Sequence, residues 1–344
     1  MLHNDARFLK EYLEYYLLQG VEHFYLYDHQ STDNTDEVLH PYILRGLVSY
    51  VFVPDEVPGN EIDKLLCTTY TQGVELARGE SQWLAIMDSD EFVVSKRHAT
   101  LASALKPYEA YGGLAINWQM FGTSGVEAVP AHGSMLQLLT RKAPPLYHMN
   151  KHVKVIVQPS RVKSIEALHQ AVYEDGYYTV DTNGKKVDGP YNPTIPLDIL
   201  QINHYFCRDQ RYFKQVKFPR RLAYGTNTDT VIAWEQEMNA VYDTSINRFL
   251  FPLSQRLQLH RFPAYYNWKF YLASNPDLAR GGITTEEKLA THWLSYGQKE
   301  GRQVVFDWRR YLRLNSDLVR SGVKTEELAI AHWVSRGKLE RRPR

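Results

Sequence analysis

Apolar positions recur at helical spacing over residues 5–19 (DARFLKEYLEYYLLQ), a pattern that predicts a helix ended by Gly20. Val21-Glu22-His23-Phe24-Tyr25-Leu26-Tyr27 then alternates and reads as a strand ending at Asp28. Ser31 or Asp33 is placed to cap the next helix, which runs toward Arg45 and stops at Gly46. Leu47–Val53 reads as a strand, residues 60–78 as a helix, and 82–88 as a further strand. This alternation implies βα units and a mainly parallel sheet flanked by helices, an α/β fold class. Leu114–Trp118, Val153–Val157 and Leu200–Tyr205 have the texture of later strands, and after about residue 225 the chain turns helical.

The tail repeats itself. YNWKFYLASNPDLARGGITTEEKLATHWLSYGQKEGR recurs as FDWRRYLRLNSDLVRSGVKTEELAIAHWVSRGKLERR, offset so that Trp268, Tyr271, His292 and Trp293 match Trp308, Tyr311, His332 and Trp333. A period in the range of 20–50 residues marks stacked supersecondary units. Each unit reads as two short helices with Trp and Tyr as core. The two histidines read as packing or capping residues, because no second ligand stands at metal spacing. The expected organisation is a domain over 1–225, a helical connector over 226–262 and a small all-α region of two repeats over 265–344.

The stretch with most chemistry is Ile86-Met87-Asp88-Ser89-Asp90-Glu91-Phe92-Val93, where an apolar strand runs into carboxylates spaced i, i+2. Ligands of open α/β sheets bind beyond the carboxyl ends of strands. Hard divalent cations take one or two carboxylates plus substrate phosphates, so Asp88 and Asp90 there suit a metal clamped to a diphosphate. Strand-ending, solvated acids are the plainer reading of the same residues. His204, at a strand end in Gln201-Ile202-Asn203-His204-Tyr205-Phe206, can serve as a third ligand.

Composition narrows this further. The 344 residues carry a net charge of +1, so the molecule as a whole is not a nucleic-acid binder. Six Lys/Arg and no acid fall between Pro130 and Ile165, and six against Asp209 alone between Arg208 and Arg221. Solvated faces account for some; others would supply positive charge to a diphosphate. No run of about 18 apolar residues, no signal-like N-terminus and only two cysteines lead to the expectation of a cytoplasmic protein without a membrane span, with peripheral membrane contact left open. The P-loop, G-x-G-x-x-G, H-E-x-x-H and G-x-S-x-G are all absent. Phe121-Gly122-Thr123-Ser124-Gly125 suits a tight loop better than a nucleophile.

Taken in order, NDARFLKEYLEYYLLQGVEHFYLYDHQSTDNTDEVL, WLAIMDSDEFVV, NWQMFGTSG, KHVKVIVQP and INHYFCR resemble the family 92-like and related family 2-like glycosyltransferases, over roughly residues 3–222. The resemblance implies a GT-A fold, a nucleoside-diphosphate sugar donor (a UDP-sugar first among them), a divalent metal (Mn²⁺ or Mg²⁺), and inversion at the anomeric carbon. It implies that Asp28 contacts the base or ribose and that Asn4 and Asp5 lie beside the nucleotide. Asp88 and Asp90 would form the metal and ribose motif, with His204 as a later ligand and Lys217 near the phosphates. Family members carry an apolar strand before that Asn-Asp position, whereas only Met1-Leu2-His3 precede it here, so unpaired edges are expected in the nucleotide wall.

The expected activity is transfer of a sugar to a hydroxyl of a glycan or lipid-linked acceptor, with His169, Asp188 and Glu91 as candidate bases. Glu91 reads equally as a buried partner of a local Lys or Arg. A nucleotidyltransferase is a second enzyme reading, though the Gly-rich basic loop it needs is missing. An inactive transferase-like protein whose repeats recognise a partner or glycan is the alternative of another class. Loops 55–60 and 119–150 are expected to set specificity.

Overall fold

The computed structural model describes every residue except 54–60, 131–132, 260–266, 286–287, 290–291 and 299. Loop 55–60 therefore lies outside the described residues. The chain divides into two units, Met1–Ser254 and Gln255–Arg344.

The first unit begins as its pattern dictates, with α1 (Ala6–Leu18), β1 (Phe24–His29), α2 (Thr35–Leu44), β2 (Val48–Val53) and α3 (Ile62–Ala77). Asn34, not Ser31 or Asp33, is the residue before α2, but Asp33 Oδ1 accepts from the Thr35 N–H at 3.1 Å and does the capping work from one residue earlier. β1 and β2 pair in parallel from Phe24↔Val48 to His29↔Val53. Leu2 adds a parallel bridge to Asp28. A cavity of about 340 Å³ is lined by Met1, Leu2, Phe24–Tyr27 and Leu84–Ile86 among others.

That second sheet runs β3 (Leu84–Ala85), β7 (Val153–Val157), β5 (Gly113–Met120), β11 (Leu200–His204), β4 (Glu91–Ser95), with β10 (Thr179–Val180) also on β5. Its pairing corrects the expectation of a mainly parallel sheet. β5–β11 and β5–β10 are parallel, but β3–β7, β5–β7 and β4–β11 are antiparallel. Long helices alternate with strands only as far as α3. The later helices before β11, α4 (Leu101–Leu105) and α5 (Met135–Leu138), are too short to carry a crossover that returns each strand in parallel. The strand expected over 82–88 shrinks to Leu84–Ala85, and β4 begins only after the turn at Asp88–Asp90. Two short strands, β8 (Val162–Ala167) and β9 (Gln170–Tyr173), form an antiparallel hairpin that the sequence reading did not identify.

Helix α1 closes the outer edge of β4. The Tyr15 and Tyr16 hydroxyls donate to the Val93 and Glu91 carbonyls at 2.9 Å each, and Gln19 Nε2 donates to Val93 O at 2.6 Å. An edge strand whose carbonyls are taken by side chains cannot template pairing with another chain. Phe92 fills the layer beneath, edge-on to Tyr12, Tyr15 and Tyr205. This clamp fixes where β4 begins, and so fixes the Asp-x-Asp turn.

Residues 226–254, expected as a connector, are built into this unit. Val231 and Met238 of the segment around α8 (Thr228–Glu237) are fully buried against Met120, Phe206, Cys207 and Phe213. Lys142 pairs with Asp243 at 2.6 Å, both nearly buried. Helix α8 presents an apolar face to the end of β5, with Val231 and Met238 packed against Met120.

In the second unit the repeat is visible atom by atom. Helices Trp268–Ser274 and Trp308–Leu314 begin the two copies. Tyr271 O–H meets His292 Nδ1 at 3.0 Å, and Tyr311 meets His332 at 2.9 Å. Arg302 reaches Asp277 and Arg342 reaches Asp317, both at 2.8 Å. Phe270 stacks on Phe306 at 5.0 Å, and Lys269 pairs with Glu326 and Glu327, so the copies share a core and an ionic edge.

Candidate active site

The site forms where β4, β7 and β11 bring charged side chains to one place. In a strand otherwise made of Val and Ile, Lys154 of β7 is 2 % exposed. It donates to Asp88 Oδ2 at 2.9 Å and lies 3.6 Å from Glu91 Oε2. The Tyr70 hydroxyl donates to Asp88 Oδ1 at 3.3 Å, and the Asp88 N–H donates to Glu91 Oε2 at 2.9 Å. Burial works against ionising Asp88, but Lys154 outweighs it and holds the carboxyl down to about 2. Burial would likewise lower the Lys154 ammonium; Asp88 and then Glu91 hold it above its ordinary range. For Glu91, fully enclosed, burial prevails over Lys154 and pushes the carboxyl well above the usual range. Lys154 thus pairs most closely with Asp88, while burial disfavours the charged form of Glu91.

Asp90 faces the other way. Its Oδ2 accepts from Lys217 Nζ at 3.1 Å and its Oδ1 lies 3.5 Å from His204 Nε2. Burial opposes its charge, and Lys217 followed by His204 holds it well below the usual carboxylate range. The register His204↔Glu91 between β11 and β4 places the imidazole there. Burial lowers the His204 pKa, with Asp90 working against that shift. Ser89, between the two acids, is pinned from behind. Its hydroxyl donates to Asp5 Oδ2 at 2.9 Å and accepts from Arg208 at 3.0 Å, while Arg208 pairs with Asp5 at 2.7 Å. The Arg208 guanidinium sits between the Phe8 and Tyr212 rings, at 4.6 and 4.5 Å.

The expected metal set Asp88, Asp90 and His204 is not assembled as three ligands, because Lys154 and Tyr70 turn Asp88 aside. Among the described residues, no group of three or more His, Cys, Asp or Glu could hold an ion. Asp90 Oδ1 and His204 Nε2, 3.5 Å apart, are two donors of the kind that could hold a hard cation.

A cavity of about 600 Å³ opens beside this pair, lined by Trp118, His152, His169, His204, Phe206 and Trp234 among others. His169 Nδ1 lies 2.7 Å from the Val153 carbonyl, which assigns the proton to Nδ1 and leaves Nε2 as an acceptor. Burial, then Lys154, lowers His169 to about 4, so it is neutral at pH 7. Of the other candidate bases, Glu91 is sealed behind β4, and Asp188 is exposed and paired with Lys186 at 3.0 Å, away from the cavity lining. Neither reaches the cavity. Asn4 is spent on loop geometry, its Oδ1 accepting from the Thr32 and Asp33 N–H groups at 2.7 and 3.2 Å. Asp28 is 1 % exposed with Oδ1 on the Ser31 N–H and Oδ2 on the Tyr50 hydroxyl, so a ligand at that corner meets Tyr50 before Asp28.

Sequence reasoning missed Lys154, Arg208, Trp118 and His152 as site residues. A lysine inside Val-Lys-Val-Ile-Val was the available signal, since lysine is almost never fully buried without a partner. Arg208, Trp118 and His152 carried no comparable mark.

The match to known proteins covers this same ground. The sequence profile of glycosyltransferase family 92 matches residues 1–205, and the chain belongs to that family. It is 30 % identical over 245 residues to a family 92 glycosyltransferase of Ricinus communis, covering 70 % of this chain and 39 % of that protein. A family 92 protein of Oryza sativa subsp. japonica is 27 % identical over 245 residues, covering 70 % and 37 %. The chain thus spans about two-fifths of the length of the curated relatives it matches. Among solved structures, S. aureus TarS 1–349 aligns over 99 % of this chain and 90 % of its own at 11 % identity and a TM-score of 0.32. Its complex with UDP-GlcNAc aligns over 89 % and 91 % at 13 % identity and a TM-score of 0.30. The matched span encloses Asp88, Asp90, Glu91, His169 and His204. Lys217 lies beyond it.

Proposed function

We propose that this chain transfers a sugar from a nucleoside-diphosphate sugar to a hydroxyl acceptor, with GT-A-type donor binding and inversion at the anomeric carbon. The observation that carries the reading is the juxtaposition of Asp90, His204 and Lys217 with an aromatic- and histidine-lined cavity, inside the span matched to family 92. Asp90 and His204 would hold a divalent cation, Mn²⁺ or Mg²⁺, which when bound neutralises charge on the departing diphosphate. Lys217 adds a second positive charge on the same side, and its burial makes that charge count for more than it would in water. The Asp5–Arg208–Ser89 lattice holds the Asp88–Asp90 turn rigid, so the donor pocket need not reorganise as charge develops.

On the acceptor side, His169 Nε2 takes the hydroxyl proton as the oxygen attacks the anomeric carbon. A neutral imidazole near pKa 4 has the basicity of an ordinary carboxylate, which suits a proton accepted late in the attack. Trp118 meets His169 edge-on at 5.2 Å and His204 at 4.5 Å, keeping both rings at the cavity wall. The large aromatic lining favours a glycan acceptor, whose ring faces stack on indole. The purified chain, incubated with a panel of nucleoside-diphosphate sugars and Mn²⁺, should release the free nucleoside diphosphate from at least one of them. His169→Gln should slow release to an added acceptor far more than it weakens nucleotide binding. If no sugar nucleotide in the panel is cleaved or bound, the reading is wrong.

A further inference from the structure

Among the described residues, the Arg221 side chain has no hydrogen-bonded or ion-paired partner, although it is half-buried and its Nε is sealed from solvent. It lines the cavity of about 600 Å³ beside His204 and Phe206. Burial holds its pKa below the ordinary guanidinium value, with Tyr224 opposing and Arg220 reinforcing that shift. A cation removed from water without a counter-charge is costly, and proteins rarely keep one idle. Among the described residues, Asp63 is the one carboxylate that lines the same cavity, and it makes no ion pair with Arg221.

Local geometry explains how the guanidinium arrives there. The π-type turn Phe213–Lys217 leads directly into α7 (Phe218–Ala223), so Lys217 and Arg221 stand four residues apart on neighbouring turns. Both cations bear on one ring: Lys217 Nζ is 4.5 Å and the Arg221 guanidinium 5.0 Å from the Phe206 centroid. Lys217 is already taken by Asp90. Arg221 keeps all its donors for something else.

We infer that Arg221 is an anion-binding residue that grips the terminal phosphate of the donor's diphosphate, and so makes the pocket select diphosphates over monophosphates. The identity of the anion as part of a sugar nucleotide rests on the function proposed above; the anion site itself rests on Arg221. An arginine fork suits the task because it presents paired N–H groups to two phosphate oxygens at once, which a lysine cannot.

Calorimetric titration of the full chain with inorganic pyrophosphate, UDP and UMP separates the two claims. The wild type should bind pyrophosphate and prefer UDP to UMP. Arg221→Met should weaken pyrophosphate and UDP by roughly 10- to 100-fold, the loss expected for a hydrogen-bonded charge, while UMP changes little. Arg221→Lys should recover part of the loss, and its circular dichroism together with that of Arg221→Met should match the wild type. If pyrophosphate binds the Met variant and the wild type equally, or the UDP-to-UMP preference survives, the inference is overturned. If pyrophosphate binding depends on Arg221 but no nucleoside diphosphate binds better than pyrophosphate, the anion site stands and the sugar-nucleotide reading falls.

Discussion

Replacing Glu91 by Gln tests the charge state deduced for the buried cluster. Glu91 is fully enclosed; one oxygen accepts the Asp88 N–H, and the other makes no hydrogen bond and lies 3.9 Å from His204 Nδ1. Its folded pKa is raised above the ordinary value of 4.5, with burial as the first cause. A raised folded pKa gives stability that is complete below 4.5 and is lost as pH climbs toward the folded value. Each pH unit in that window takes about 1.4 kcal/mol from the wild type. Glutamine does not titrate and can keep the acceptor for the Asp88 N–H. At pH 5 the variant should therefore lie within about 1 kcal/mol of the wild type, the scale of one altered hydrogen bond. As pH rises above 4.5 the variant should gain on the wild type by about 1.4 kcal/mol per pH unit, until the folded value is passed. Urea denaturation at pH 5, 6 and 7 measures this directly. The reasoning is refuted if the variant falls progressively behind as pH rises. That would mean an ionised Glu91 paired with Lys154, whose loss leaves buried charge uncompensated at a cost of about 3–5 kcal/mol. Sugar-nucleotide cleavage should persist in Glu91→Gln, because Glu91 does not reach the cavity.

Asp90→Asn should abolish cation-dependent diphosphate binding, as seen by calorimetry, and should cost about 1–3 kcal/mol of stability, because Lys217 is left nearly buried without its anion. His169→Gln should lower kcat by about 10²- to 10⁴-fold, and the wild-type profile of kcat/KM should fall on the acid side near pH 4, where His169 takes its proton, and not near 6.5. Lys142→Met should destabilise the first unit by about 3–5 kcal/mol in chemical denaturation, since Asp243 would be buried unpaired; a cost under about 1 kcal/mol would place residues 226–254 outside that unit.

Much of the first 90 residues was legible because helix and strand periods are distinct there and Gly20 and Gly46 punctuate them. The pattern misled at residues 82–88. The apolar run before the Asp-x-Asp reads as one full strand over 82–88, yet only Leu84–Ala85 pairs, and the backbone bond from the Glu91 N–H to the Asp88 carbonyl at 3.1 Å marks the turn that leads into β4. Sheet direction was illegible for a related reason. Strand period says nothing about polarity, and the short connecting helices that mark antiparallel returns hardly register in a sequence. Asp90, His204 and Lys217, singled out from the sequence, lie within contact of one another in the structure, because the β4–β11 register and the helical turn after β11 bring them together. Asp88 was expected as a ligand and is instead Lys154's partner, a pairing across 66 residues that no local pattern records. The same holds for Arg208, whose bonds to Asp5 and Ser89 span the unit. The forty-residue repeat was plain because each copy preserves its own internal Tyr–His and Arg–Asp bonds.

The central claim is that Asp90, His204 and Lys217 form a diphosphate site, and thermal unfolding with nucleoside diphosphates in the presence and absence of Mn²⁺ measures it most directly. A ligand at 100 times its dissociation constant should stabilise the native state by about 2.7 kcal/mol. The account predicts such a shift for at least one nucleoside diphosphate, larger with Mn²⁺, with the Mn²⁺ increment lost in both Asp90→Asn and His204→Ala. An unshifted wild type across the whole panel, or an increment that survives both substitutions, would contradict it.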